Sequence, residues 1–154
     1  MTSAMTRDPT YYKELARDFL GQYKEAQREI ERMQRLIERL SLRANRLNQP
    51  LNPDKVQVQK SNNGPEDVIV EIADLQKIYT HDCKLAEKKC LEIALGIGEL
   101  ENKLHQEILR NYWLFGVRLE EIAVSENYAY RTIKKYHYRA LEELGIILDK
   151  KRAL

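Results

Sequence analysis

No apolar run in this chain of 154 residues approaches the roughly 20 needed to span a bilayer, so no transmembrane helix is expected. The opening residues MTSAMTRDP contain no hydrophobic signal segment, which makes the cytoplasm the expected location. Cysteine is scarce: only Cys83 and Cys90 occur, and seven residues on a helix separate them by roughly 10 Å, too far for a disulfide. Both read as core cysteines of a reducing compartment. His81, Cys83, Cys90 and His105 lack the four-ligand spacing of a zinc site, so no metal is expected. A glycine-rich phosphate loop and a nucleophile elbow are absent, and no dispersed polar set suited to catalysis is present. The expectation is a protein that is not an enzyme, with no cofactor and no small-molecule substrate. Net charge is small as well, at +2, so only the distribution of charge can argue for or against nucleic acid.

The 32% of charged residues and the mean hydropathy of −0.62 fit a helix-rich protein with much exposed surface. Residues 1–48 carry ten basic and seven acidic side chains, residues 66–109 five and ten, and residues 110–154 nine and six. Acid is concentrated in the middle of the chain.

Residues 1–9 are expected to be disordered, with Asp8 or Thr10 capping a first long helix. Tyr23, Ala26, Ile30, Met33, Ile37, Leu40, Ala44 and Leu47 alternate by 3 and 4, with Phe19 and Leu15 upstream, the pattern of a coiled-coil seam. Residues 49–65, with Pro50, Pro53 and Asn62-Asn63-Gly64-Pro65, read as a linker. Pro65 followed by Glu66 and Asp67 opens a second long helix, whose Val68, Ile72, Leu75, Tyr79, Cys83, Ala86, Cys90, Ile93 and Ile97 form a second seam. One helix is basic and the other acidic, which predicts an antiparallel hairpin over residues 10–98. Gly96-Ile97-Gly98 should kink or break it. Ile30 and Ile37 alternating with Met33 and Leu40 also suit a two-stranded parallel coiled coil, so a homodimer through the first helix competes with the hairpin. Arg28, Arg32, Arg35, Arg39, Arg43 and Arg46 form a stripe on one side of that helix, expected to be solvated and paired locally, as in Glu29 with Arg32.

Residues 99–148 predict a helix-turn-helix, followed by a basic tail at 149–154. Leu104, Ile108, Leu109, Tyr112 and Trp113 mark a helix ending at Phe115-Gly116, with Gly116 left-handed and Trp113, Tyr112 and later Tyr136 in the core. Leu119, Ile122 and Ala123 define a short helix with Glu120 and Glu121 at its positive end. Ser125-Glu126-Asn127 should turn the chain, with Tyr128 plugging the turn. Ile133, Tyr136, Ala140, Leu141 and Leu144 then give the buried face of a helix closing at Gly145, and Ile146 to Leu148 an apolar cluster docking on the module or on a second subunit. Its outer face carries Arg131, Lys134, Lys135 and Arg139 with no acid between Ala129 and Leu141, together with His137, Tyr130 and Tyr138.

This run resembles the region 4 helix-turn-helix of sigma-70-type factors, and the chain resembles small phage-encoded transcriptional regulators of the ArpU and RinA kind. The matching residues are Glu121-Ile122-Ala123, Ile133 eleven positions after Ile122, and Ala140-Leu141 with Leu144, without a gap. They cover the last third of the chain; the rest matches in layout only. The resemblance implies promoter or operator recognition in the major groove through Tyr130, Arg131, Lys134 and Lys135. One departure is plain: the family opens this helix with Ser or Thr, and here Ala129 offers no capping oxygen.

The expected function is therefore sequence-specific binding of double-stranded DNA as a transcription regulator, with base contacts from Tyr130, Arg131 and Lys134 and backbone contacts from Lys135, Tyr138 and Arg139. Host RNA polymerase is a candidate partner for the hairpin. Two other readings stay open: a DNA-packaging adaptor of the phage small-terminase kind, which would form a ring, and a helical protein-interaction scaffold.

Overall fold

The computed structural model describes residues 7–48 and 64–153, and among them every regular element is a helix. The all-α class read from the periodicity is therefore correct. The expectations for residues 1–6 and for most of the 49–65 linker lie outside the described residues. No helix among the described residues is long and apolar enough to cross a membrane.

Helix α1 spans Pro9–Leu47, α2 Pro65–Gly98, α3 Lys103–Leu109, α4 Leu119–Glu126 and α5 Tyr130–Arg152. Asp8 caps α1, its Oδ1 accepting the Thr10 N–H at 3.1 Å. Gly21 does not interrupt that helix. Pro65 opens α2, and Glu66 and Asp67 complement its dipole as the sequence suggests.

The chain divides into two compact units, one made of residues 27–87 and the other of residues up to Ala26 together with Lys88 onward. In the first, Met33, Ile72 and Cys83 are buried, and the Gln76 amide donates to Ser41 Oγ at 3.0 Å. Ile30, Ile37, Leu40 and Ala44 are half-buried, whereas Leu75, expected in the seam, is 38% exposed. Two helices supply too few neighbours to enclose every seam position. The six arginines of the α1 stripe are all exposed, and Arg32 meets Glu29 at 2.8 Å. Cys83 is not in a disulfide.

The second unit has two cores. The larger joins Ala16 and Leu20 of α1, Ile93 and Ile97 of α2, Leu100, Leu109, and Ala140, Leu141 and Leu144 of α5. The smaller joins Ile108, Ile122, Ala123 and Ile133, with Leu104, Val117, Leu119 and Tyr136 around it. Helix α5 belongs to both.

Two expectations are corrected in this unit, and the break expected at Gly96-Ile97-Gly98 falls at the end of that run. Gly145 does not close a helix; α5 continues to Arg152, and Ile147 and Leu148 pack on the larger core. Gly145 is instead where α1 crosses, so near that a Cβ would collide with the backbone carbonyl of Tyr12. Gly96 likewise lies inside α2 beneath the Phe19 ring, whose nearest carbon would sit 3.0 Å from a Cβ; the break comes only after Gly98. Finally, α3 leads into a π turn at Arg110–Leu114, with the Phe115 N–H reaching the Arg110 carbonyl at 3.1 Å. The extra residue shifts the helical register, so Tyr112 is 38% exposed while Trp113 and Leu114 face the core.

Candidate nucleic-acid interface

Helices α4 and α5 are set by their connection. Asn127 has φ 60° and ψ 41°, a left-handed conformation that Asn tolerates because its short polar side chain limits the cost. The Asn127 N–H donates to the Val124 carbonyl at 3.3 Å and the Tyr128 N–H to the Ala123 carbonyl at 3.0 Å, the reversal that closes α4. Ser125 and Glu126 lie inside α4 rather than in the turn, and Ser125 Oγ donates back to the Ile122 carbonyl at 3.2 Å. Tyr128 remains 43% exposed and packs edge-on against Tyr136, with ring centres 5.7 Å apart. It covers the turn from outside rather than plugging it.

Ala129 caps α5 through its main chain alone, its carbonyl accepting the N–H groups of Thr132 and Ile133 at 3.0 and 3.1 Å. No acid occupies the first turn of α5, whereas α2 and α4 both have acids there. The positive end of the α5 dipole is thus uncompensated, a setting that favours an anion such as phosphate.

Tyr130, Arg131, Lys134, Lys135, Tyr138 and Arg139 are all exposed. Arg131, Lys134 and Lys135 make no ion pair or side-chain hydrogen bond among the described residues, so their charges face water. Arg139 lies 6.0 Å from the Tyr136 ring centre. Tyr138 differs from the rest, because Lys13 and Arg17 of α1 lie 5.3 and 5.9 Å from its ring centre and occupy that face. Behind the row, Ile133 and Ala140 are fully buried and Tyr136 is half-buried.

His137, expected on the outer face, is only 5% exposed. Its position four residues after Ile133 and four before Leu141 places it on the buried side, a signal the sequence did contain. Trp113 Nε1–H donates to His137 Nε2 at 3.1 Å, and the Tyr112 ring centre lies 4.9 Å away. Burial, and secondly the charge of Arg17, lower its pKa to about 4, so the imidazole is neutral and accepts through Nε2.

On the opposite flank, His105 Nδ1 lies 3.0 Å from Glu143 Oε2, and Glu143 Oε1 accepts the Glu101 N–H at 3.2 Å. Asn102 Oδ1 caps α3 by accepting the N–H groups of Leu104 and His105 at 2.9 and 3.3 Å. The His105–Glu143 pair ties α3 to α5.

Comparison with protein-family models, curated proteins and solved structures returned no match to this chain.

Guanidinium and ammonium groups spaced 3 and 4 apart on one exposed helix face suit phosphates and guanine edges. Among the described residues no group of three or more His, Cys, Asp or Glu side chains is placed to hold a metal ion.

Proposed function

We propose that this chain is a sequence-specific transcription regulator that binds double-stranded DNA, with α4 and α5 acting as a helix-turn-helix of the sigma-70 region 4 kind. The proposal extends the resemblance to phage regulators of the ArpU and RinA type. In it, α1 and α2 form an antiparallel hairpin that dimerises the protein or meets host RNA polymerase.

The observation that carries the reading is the state of the N-terminal half of α5. Arg131, Lys134 and Lys135 stand exposed and unneutralised on a helix whose back is pinned by Ile133 and Ala140. A structural surface helix would ordinarily intersperse acids, as the C-terminal half of α5 does with Glu142, Glu143 and Asp149. The sharp left-handed turn at Asn127 supports the same reading, since it lets α5 leave α4 at an angle rather than continue it.

The test is selection of duplexes from random DNA by the full-length protein, followed by gel retardation of a recovered fragment. Arg131→Ala with Lys134→Ala should abolish the preference for that fragment over a scrambled duplex; a preference retained in the double variant overturns the assignment. Light scattering on the same preparation separates a dimer from a closed ring, and a ring would move the reading to DNA packaging.

A further inference from the structure

Helix α1 carries a second set of cations against the same helix. Lys13 and Arg17 are one turn apart, and both hold their charges over the ring of Tyr138, at 5.3 and 5.9 Å. Tyr138 lies four residues after Lys134 and seven after Arg131, so the three share one face of α5. Four residues rise about 6 Å along a helix, which places the α1 cations one turn from Lys134. A second contact fixes the crossing, because Gly145, seven residues beyond Tyr138, lies against the Tyr12 backbone. Arg17 is also near enough to His137 for its charge to help lower that imidazole's pKa.

The same row of α1 continues through Leu20, buried in the larger core, to the exposed Lys24. No acid stands in it. Glu14 and Asp18 fall on adjacent flanks, and Asp18 lines a different cavity together with Phe19, Lys89 and Lys151. Neither Lys13 nor Arg17 makes an ion pair among the described residues. Stacking on Tyr138 limits how far both side chains can wander, so less freedom is lost when an anion arrives.

We propose that Lys13 and Arg17 form a phosphate-binding edge that grips the DNA backbone beside the groove entered by α5, with Tyr138 as the residue that positions them. This inference rests on the DNA-binding reading above and adds a partner surface that the α4–α5 segment alone does not supply. The division of labour is chemical. Cations held at the flank neutralise phosphates whatever the sequence, while Arg131 and Lys134 reach the base edges.

The experiment measures binding of the full-length protein to two fluorescein-labelled duplexes of about 30 base pairs, one recovered by selection and one scrambled, across a salt series. Lys13→Gln with Arg17→Gln should weaken both duplexes by a similar factor, keep their affinity ratio, and reduce the slope of log K against log salt by about 1.8, close to 0.9 for each phosphate no longer neutralised. The charge-conserving pair Lys13→Arg with Arg17→Lys should retain the wild-type slope, separating charge from packing. A Gln pair with the wild-type slope overturns the inference while leaving the α5 reading intact, and so does a Gln pair that loses the ratio between duplexes. A wild-type protein that binds neither duplex overturns both.

Discussion

Gly145 and Gly21 lie inside long helices of the same unit, and the structure predicts opposite consequences for replacing each with alanine. In a helix interior alanine is favoured over glycine by about 1 kcal/mol, because it loses less backbone freedom on folding. At Gly21 nothing lies within 4 Å of a new Cβ, so that gain should appear nearly whole. At Gly145 the methyl would stand 2.5 Å from the Tyr12 carbonyl carbon, and a backbone, unlike a side chain, has no rotamer by which to move aside. Helices α1 and α5 would have to separate, at an overpacking cost of about 3 kcal/mol, leaving a net loss of about 2 kcal/mol. For a domain of this size each kcal/mol is worth about 4–8 °C. Gly145→Ala should therefore melt roughly 10 °C below the wild type and Gly21→Ala about 5 °C above it. Trp113, the one tryptophan, packs on the core shared by α1 and α5, so its fluorescence follows the relevant transition, and far-UV circular dichroism checks helix content. A Gly145→Ala protein as stable as the wild type would refute the close crossing and, with it, the placement of Lys13 and Arg17.

Burial of His137 gives a pH dependence of definite sign. Its folded pKa of about 4 lies below the ordinary 6.5, so between those values the unfolded chain binds the extra proton. Stability is therefore full above about pH 6.5 and falls as the pH drops toward 4, by about 3 kcal/mol in total. Urea titrations at about pH 7, 5.5 and 4 should show a steeper loss in the wild type than in His137→Gln, whose amide oxygen still accepts from Trp113; parallel losses would refute the assignment. Asn127→Gly should leave the melting temperature nearly unchanged, whereas Asn127→Val should cost about 1–2 kcal/mol by forcing a branched side chain into the left-handed region. Equal stability of the two variants would show that the turn does not depend on that conformation. Asn102→Ala removes the side-chain cap of α3 and should cost about 1 kcal/mol, seen as a lower urea midpoint with an unchanged slope.

The long periodic elements are legible in the sequence because a seam repeating by 3 and 4 over many turns admits little besides a helix, and Asp8, Pro65 and Gly116 signal boundaries through backbone chemistry that does not depend on tertiary partners. Gly145 misleads because a glycine after a helical run has two physical uses: a left-handed cap, or the absence of a side chain where another backbone crosses. Only the position of Tyr12, more than a hundred residues away in sequence, distinguishes them. Tyr112 misleads because the π turn adds a residue to one helical turn, after which a 3.6 period points to the wrong side. His137 looks like an outer-face residue by type rather than by position, since its spacing from Ile133 and Leu141 already puts it inward. Lys13 and Arg17 carry no local signal, and their relation to Tyr138 exists only once α1 meets α5.

Helix α5 serves two cores, so recognition and stability can be separated along its length. Its C-terminal half is held by Ala140, Leu141 and Leu144 in the larger core, and its N-terminal half rests through Ile133 on the smaller one. Arg131, Lys134 and Lys135 belong to neither, being exposed and unpaired among the described residues. Surface changes of that kind usually alter stability by no more than about 0.5 kcal/mol, so their alanine variants should unfold within a few degrees of the wild type. A failure of DNA selectivity in such a variant would then report on recognition rather than on folding. Ile133→Ala should behave oppositely, with destabilisation of about 2–5 kcal/mol and loss of binding together, because it undermines the floor on which those cations stand. If instead the Ile133 variant kept its stability while the exposed cations proved necessary for folding, the assignment of inner and outer faces of α5 would be reversed.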